Sequence, residues 1–403
     1  MGPLAGLKVI DLTHVMAGPT CTLMLADMGA DVIKIEKLPD GDDTRRAVPP
    51  AIAGEAAAYM MMNRNKRGIA LDLKAAGGRR VLARLLEDAD VVVENYRPGT
   101  MARLGFDYEE LRKVNPGLIY CALSGFGRTG PYGHRGGFDL VAQAMSGIMS
   151  ITGEGPGRPP VKCGAPLTDI TCGILAAMGI LAAYAHRLKS GRGQMVDTSL
   201  LEAGIVQTYW QSAIALATGV APGPMGSAHP LNAPYQAFET ADGWIVIGGS
   251  NQKNWRNTLK ALEAEPLAAD PRFADNADRM AHLSELEAAL APYFRARASA
   301  DLLARFEAEG VPAGPVYDVL QMHADPQVRA REMVVEVEHA RLGAVATLGL
   351  PVKFSDTPGK VTTGAPVYGQ HTREVLRAHG FADAEIEALL AEGAIAVAGR
   401  AKS

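Results

Sequence analysis

The 403-residue sequence contains no GxSxG nucleophile elbow, no HExxH pair and no phosphate-binding GxxxxGK[ST] loop. Its nine histidines are dispersed, none paired at metal-ligand spacing, and Cys21, Cys121, Cys163 and Cys172 show no CxxC spacing. A hydroxyl nucleophile needs an adjacent base and a metal-bound water needs ligands, and neither pattern is visible. A carboxylate needs no such help, because aspartate ionises near pH ~3.9 and is already nucleophilic at neutral pH. Asp169 is the candidate. It follows Thr168 at the head of the apolar series Ile170, Ile174, Leu175, Met178 and Leu181. That spacing predicts a helix with Thr168 as N-cap and Asp169 in its first turn, where the backbone dipole favours the ionised form. First-turn aspartates are also ordinary helix stabilisers, so position alone leaves both roles open.

Two other places could contribute. Gly248 and Gly249 close the strand-like run Trp244-Ile245-Val246-Ile247, ahead of Ser250-Asn251-Gln252. Glycines there allow close backbone approach to a ligand and offer N–H groups to a developing oxyanion, or form a plain strand-to-loop turn. His14 lies just past the apolar run Val9 to Leu12, where it faces a ligand crevice or serves as a satisfied structural histidine.

The elements that must position these residues alternate. Val9-Leu12, Val32-Ile35, Val91-Val93 and Leu118-Tyr120 read as strands, with helices over Pro19-Met28 and around Leu82-Leu86. Such alternation predicts an α/β fold, a parallel sheet covered by helices on both faces, with its crevice at the carboxyl ends of the strands. The Asp169 helix closes on His186, Arg187, Lys189 and Gly191, and Met195-Asp197 reads as a further strand. Prolines and glycines in 219–234 mark a crossing between domains, Arg272-Ala330 is mostly helical, Val334-Phe354 reads as two strands around Gly343, and Arg373-Leu390 as closing helices. No GxGxxG follows the first strand, so no dinucleotide fingerprint is present.

Composition sets the outer bounds. Hydrophobic residues make up 48% and charged residues 21%, a globular balance, and the length asks for two or three domains. The 44 glycines and 25 prolines lack the period of collagen and imply many turns. A net charge of −4 argues against general nucleic-acid binding. Within it, Arg64, Lys66, Arg67, Lys74, Arg79, Arg80 and Arg84 form a basic cluster, either a solvated face or a seat for a small phosphorylated ligand. The cysteine usage suggests reduced thiols in a cytoplasmic protein with no metal site. No secretory segment is expected at the N-terminus. No membrane span is expected either, since the helix-like uncharged run Ile170-Ala185 is shorter than the ~20 residues a bilayer requires.

Taken in order, Asp11-Leu12-Thr13-His14-Val15-Met16-Ala17-Gly18-Pro19, Gly29 to Glu36, Asn63-Arg64-Asn65-Lys66-Arg67, Glu94 to Gly99, Gly136-Gly137-Phe138-Asp139, Thr168-Asp169, Gly191 to Gln194 and Tyr368 to Thr372 resemble the class III CoA-transferases. This is the formyl-CoA transferase family, which also holds carnitine and dicarboxylate CoA-transferases and α-methylacyl-CoA racemase. The resemblance runs essentially the whole chain and implies that Asp169 is the nucleophile, passing through an acyl–aspartyl anhydride and an aspartyl-CoA thioester. It implies CoA contacts at His14, Lys37, Leu71, Lys74, Asn95, Tyr96 and Arg103. It places Met16, Ala17, Phe138 and Asp139 at the substrate, with Gly248, Gly249 and Gln252 in a mobile loop. CoA and acyl-CoA are substrates, and no permanently bound cofactor or metal is implied. The implied fold is a Rossmann-like large domain, 1–200 completed by 330–403, with a linker over 201–224, a smaller α+β domain over 225–315 and a return linker over 316–329. Two such subunits would form an interlocked homodimer.

Formyl-CoA transferases carry Gln where this chain has Met16 and Tyr where it has Phe138. Loss of the amide weakens the case for oxalate, and the overall pattern, including Tyr235 to Phe238 and Ala324 to Val328, looks closer to the succinyl-CoA-dependent dicarboxylate transferases. The family's racemases place an acid/base His immediately before the Asp aligned with Asp139, and Phe138 cannot fill that role. The expectation is a succinyl-CoA-dependent transferase, with a racemase or a formyl-CoA:oxalate-type transferase as the alternatives.

Overall fold

The computed structural model describes residues 1–399, and the chain divides into two compact units. The first holds residues 1–147, 163–207 and 326 onward; the second holds 148–162 and 208–325.

The first unit is built on a seven-stranded sheet. Six strands run parallel: Lys8–Asp11, Asp31–Lys37, Arg67–Leu71, Val91–Glu94, Ile119–Ser124 and Met195–Ser199. Numbered in that order, they lie 3-2-1-4-5-6 across the sheet, the doubly wound arrangement whose order reverses between the first and fourth strands. A short strand from the C-terminal region, Ile395–Ala396, adds antiparallel to Leu71 and Ala70.

Residue alternation explains why helices cover both faces. Ile10, Ile33, Ile69, Val92 and Tyr120 point to a core completed by Val81, Leu82 and Leu85 of the helix Ala76–Leu86 and by Leu376 and Ile386 near the C-terminus. Val9, Val32, Val91, Val93 and Cys121 point the other way, onto the helices Ala17–Asp27 and Leu167–Ser190. These two helices cross closely because of Gly173, where a Cβ would fall 2.5 Å from the Ala17 carbonyl oxygen.

The helix Leu167–Ser190 is longer than its uncharged run, and its 24 residues have the length and mean hydropathy of a bilayer span. Seven of its residues are buried in the first unit, among them Cys172, Ala176 and Ile180. Gly191 ends it at φ 71°, as expected of that glycine. Its start departs from expectation: Pro166 holds the cap position and Thr168 lies inside the first turn.

The second unit has an antiparallel sheet ordered Ala313–Pro315, Trp244–Gly248, Tyr235–Glu239. The helices Gln252–Leu262, Leu283–Arg295 and Ser299–Ala308 supply Trp255, Phe294 and Phe306 to its core, where Phe238 stacks on Phe294 at 4.2 Å between ring centroids. Residues 201–224, read from sequence as a linker, overlap the helices Leu200–Val206 and Tyr209–Thr218. The chain passes between units at residue 208, ahead of the proline-rich 219–234.

Candidate active site

The strand-order reversal opens a crevice between the ends of the first and fourth strands, and Leu12-Thr13-His14 and Asn95-Tyr96 fill its rims. Asn95 ties the rims together: its Oδ1 accepts from the His14 N–H at 2.9 Å and its Nδ2 donates to the His14 carbonyl at 2.8 Å. Val15 follows at φ 70°, left-handed backbone that a β-branched residue rarely adopts. Its N–H donates to Asp42 Oδ1 at 3.2 Å, which helps hold the strained turn. Above these ends lies a cleft of about 380 Å³ whose lining includes His14, Met16, Tyr96, Ser124, Phe138 and Asp169.

Beneath the rims sits a buried charged network. Lys66 Nζ donates to Asp11 Oδ2 at 3.1 Å, Asn63 Oδ1 at 2.9 Å and the Pro19 carbonyl at 3.1 Å. Thr13 and Thr22 hydroxyls each donate to Asp11 at 2.6 Å. Burial alone would raise the Asp11 carboxyl, but Lys66, Lys34 and the two hydroxyls outweigh it and hold it at about 2. Lys34 Nζ donates to the Thr13 carbonyl at 2.8 Å and lies 2.9 Å from Asp42 Oδ2. His14 is pushed below its ordinary value by burial and then by Lys34, so its imidazole is neutral at pH 7.

Asp169 is the contrasting case. Among the described residues its carboxylate receives no hydrogen bond and no ion pair. Burial raises it, the nearby Asp139 charge raises it further, and it reaches about 6. Asp139 itself acts as the missing cap: its Oδ1 accepts from the Thr168 N–H at 3.0 Å and the Thr168 hydroxyl at 2.8 Å, while its Oδ2 accepts from Gln143 Nε2 at 2.7 Å. The first turn thus has its acceptor from another segment, and Asp169 is left unengaged.

Eight of the residues singled out from sequence line the cleft: His14, Met16, Ala17, Lys37, Asn95, Tyr96, Phe138 and Asp169. Leu71, Lys74 and Arg103 of the same unit do not line it. Leu71 is buried in the sheet core, Lys74 is exposed, and Arg103 is exposed and donates to Thr100 Oγ1 at 2.9 Å. Gly248, Gly249 and Gln252 belong to the second unit. The Gly248 N–H, for which the sequence left open an oxyanion contact or a plain turn, is committed to the Pro312 carbonyl at 2.8 Å, and Gln252 is held by the Ala274 carbonyl and Arg279.

The basic cluster also reads differently in three dimensions. Arg64 is buried against Asp27 at 2.6 Å, Lys66 lies in the network above, and Arg67 pairs with Asp31 and Glu374. These cations are structural, and Lys74 and Arg80 are left on the surface.

Arg97, Arg135 and the Ser124-Gly125 turn line the cleft without having been singled out. Gly125 and Gly137 explain each other, since a Cβ on either would sit 2.6 Å from the Cα of the other. The Gly136-Gly137 pair was the available signal for this segment.

A doubly wound α/β unit with an isolated carboxylate in its switch-point cleft defines an enzyme that handles a small ligand there. The chain belongs to CoA-transferase family III, whose model matches residues 4–372. It is 41% identical to the succinate–glutarate CoA-transferase of Agrobacterium fabrum, over 93% of this chain and 95% of that one. It is 37% identical to the succinyl-CoA:glutarate CoA-transferase of Homo sapiens, over 98% and 90%, and 41% identical to the acetyl-CoA:oxalate CoA-transferase of Acetobacter aceti, over 91% and 92%. Among solved structures, a CAIB/BAIF family protein from Brucella suis matches at TM-score 0.84 and 39% identity, covering 94% of this chain and 99% of that one. The protein is a CoA-transferase.

Proposed function

We propose that the protein moves CoA from succinyl-CoA to a small dicarboxylic acid, with Asp169 as nucleophile. The observation that carries this reading is the unengaged, partly buried Asp169 carboxylate in the cleft. Relatives named for succinyl-CoA and glutarate support the substrate class.

Asp169 attacks the thioester carbonyl, the C–S bond breaks, and CoA thiolate leaves behind a mixed acyl–aspartyl anhydride. The thiolate then attacks the aspartyl carbonyl, releasing the donor carboxylate and forming an aspartyl-CoA thioester. The acceptor carboxylate attacks that thioester to regenerate an anhydride, and the thiolate attacks the acceptor's acyl carbon to release the new acyl-CoA. No proton is gained or lost, so neutral His14 and unpartnered Asp169 suffice without a relay. At pH 7 a carboxyl near 6 is mostly ionised yet more basic than an ordinary aspartate, which strengthens it as a nucleophile.

His14, Lys37, Asn95 and Tyr96 are the CoA contacts that the cleft supports, with cationic and apolar groups suited to the two ends of CoA. The racemase alternative finds no second base at the equivalent place: Phe138 cannot titrate, and Asp139 is spent on Thr168 and Gln143. Exposed Ile174, Met178 and Leu188 on one helix are apolar surface in keeping with a homodimer.

The test is to incubate the enzyme with succinyl-CoA, trap with hydroxylamine or borohydride, and assay CoA exchange across a panel of acids. Asp169 is expected to be the residue modified by mass spectrometry. An unmodified Asp169 with no exchange to any acid would overturn the reading.

A further inference from the structure

We propose that Arg135 sets acyl specificity by binding the distal carboxylate of a dicarboxylic substrate while Asp169 engages the other end. The proposal rests on the transferase reading above and names the substrate class of the same cleft.

Few charges line the cleft. Lys37 is already assigned to CoA and lies 2.7 Å from Asp43, and His14 is neutral. That leaves Arg97 and Arg135, both exposed and neither paired with a carboxylate among the described residues. Their settings differ. Arg97 continues the Asn95-Tyr96 rim, which is locked to the His14 turn.

Arg135 instead begins the segment that ends at Asp139, the residue capping the Asp169 helix. Gly137, packed on Gly125, pins that segment to the end of the fifth parallel strand. Arg135 is thus the unpaired cation on the segment that reaches the nucleophile's helix through Asp139. Its guanidinium rests over the Tyr132 ring at 4.1 Å, and no ion pair would have to break for it to meet a ligand.

The rest of the cleft wall is largely apolar. Met16, Leu123, Phe138 and Leu200 present apolar side chains to the cleft. They suit methylenes and offer a second carboxylate no hydrogen bond. A monocarboxylic acyl chain needs only those walls. A dicarboxylic chain brings a second negative charge past them, costly to desolvate unless a cation receives it. A guanidinium fork matches a carboxylate in two parallel hydrogen bonds, whereas an ammonium supplies only a point charge.

The experiment compares glutarate with valerate, its monocarboxylic match in chain length, as acceptors for the full-length enzyme and its Arg135→Ala, Arg135→Lys and Arg97→Ala variants. Arg135→Ala is expected to lower kcat/KM for glutarate roughly 30- to 100-fold, chiefly through KM. Valerate should stay within about threefold, so the glutarate-to-valerate ratio collapses. Arg135→Lys should restore part of the ratio, and Arg97→Ala should lower both acids alike. Because Arg135 is exposed, its variants should melt with the wild type. Equal losses for both acids in Arg135→Ala, or no loss for glutarate, would overturn the role. A wild type that prefers valerate would do the same. A wild type that transfers to no acid at all would sink the transferase reading and this proposal with it.

Discussion

Asp11 and Asp169 are two carboxylates of the same α/β unit, one beneath the cleft and one lining it, and they are treated in opposite ways. Asp11 is fully buried and saturated by Lys66, Thr13 and Thr22, with Lys34 adding its charge, so its carboxyl is pulled down to about 2. Asp169 is only partly buried and has no such partners, so burial and Asp139 push it up to about 6. The buried charges hold the rims of the crevice in place, with all three Lys66 ammonium protons taken. The lone charge is available for chemistry. A site of this kind combines a saturated, rigid base with one group left unsatisfied.

Asp169→Asn should have the largest effect. Transfer should fall by at least ~10³-fold, since an amide cannot form the anhydride. Stability should move the other way. The wild-type carboxyl binds its proton more tightly folded than unfolded, a favourable contribution present in full below pH ~4 and lost as pH rises through about 6. Above that pH the amide variant should be the more stable by about 1–3 kcal/mol, with the advantage gone near pH 4. Denaturant melts across pH 4–8 measure it, and a pH-independent difference would contradict the account.

Lys66→Met should give the mirror image. Removing the ammonium leaves Asp11 buried without its closest cation, and a cost of ~3–5 kcal/mol is expected in thermal or urea unfolding. A loss under 1 kcal/mol would mean that Lys34 and the hydroxyls suffice. Double replacement of Asp11 and Lys66 by apolar residues should cost less than the two single losses added together.

How far this contrast was legible in the sequence follows from what each role requires. Asp169 could be placed in a first turn from periodicity, because the series Ile170, Ile174, Leu175, Met178, Leu181 is a local property. The first, second and fourth strands were readable as β-branched runs for the same reason. Arg67–Leu71 was not, because Arg67, Gly68 and Ala70 dilute the apolar signal and the strand is stabilised by pairing with Asp31–Lys37 far away in sequence.

The basic cluster misled similarly. Arg64 and Lys66 look like surface cations until Asp27 and Asp11, 37 and 55 residues upstream, are brought against them. Thr168 looked like the cap because local signals cannot show that Asp139, 29 residues earlier, supplies the acceptor. The left-handed Val15 had no signal at all, since that conformation is imposed by the turn around it.

Asp139→Asn should have the smallest effect and tests the link between cap and nucleophile. The amide keeps an oxygen that can accept from the Thr168 N–H and hydroxyl, so the helix start should survive, but its NH2 then faces the Gln143 Nε2 that had donated to Oδ2, and a loss of about 1–2 kcal/mol is expected. What disappears is the negative charge that, after burial, raises Asp169. The acidic limb of the pH profile of kcat/KM reports the ionisation of the free enzyme's Asp169. It should therefore move to lower pH in Asp139→Asn, with activity at pH 8 changed little. An unmoved limb would mean that burial alone sets Asp169. A limb moved upward would mean that Asp139 holds the first turn open to water, and that its value to the site lies in geometry rather than charge.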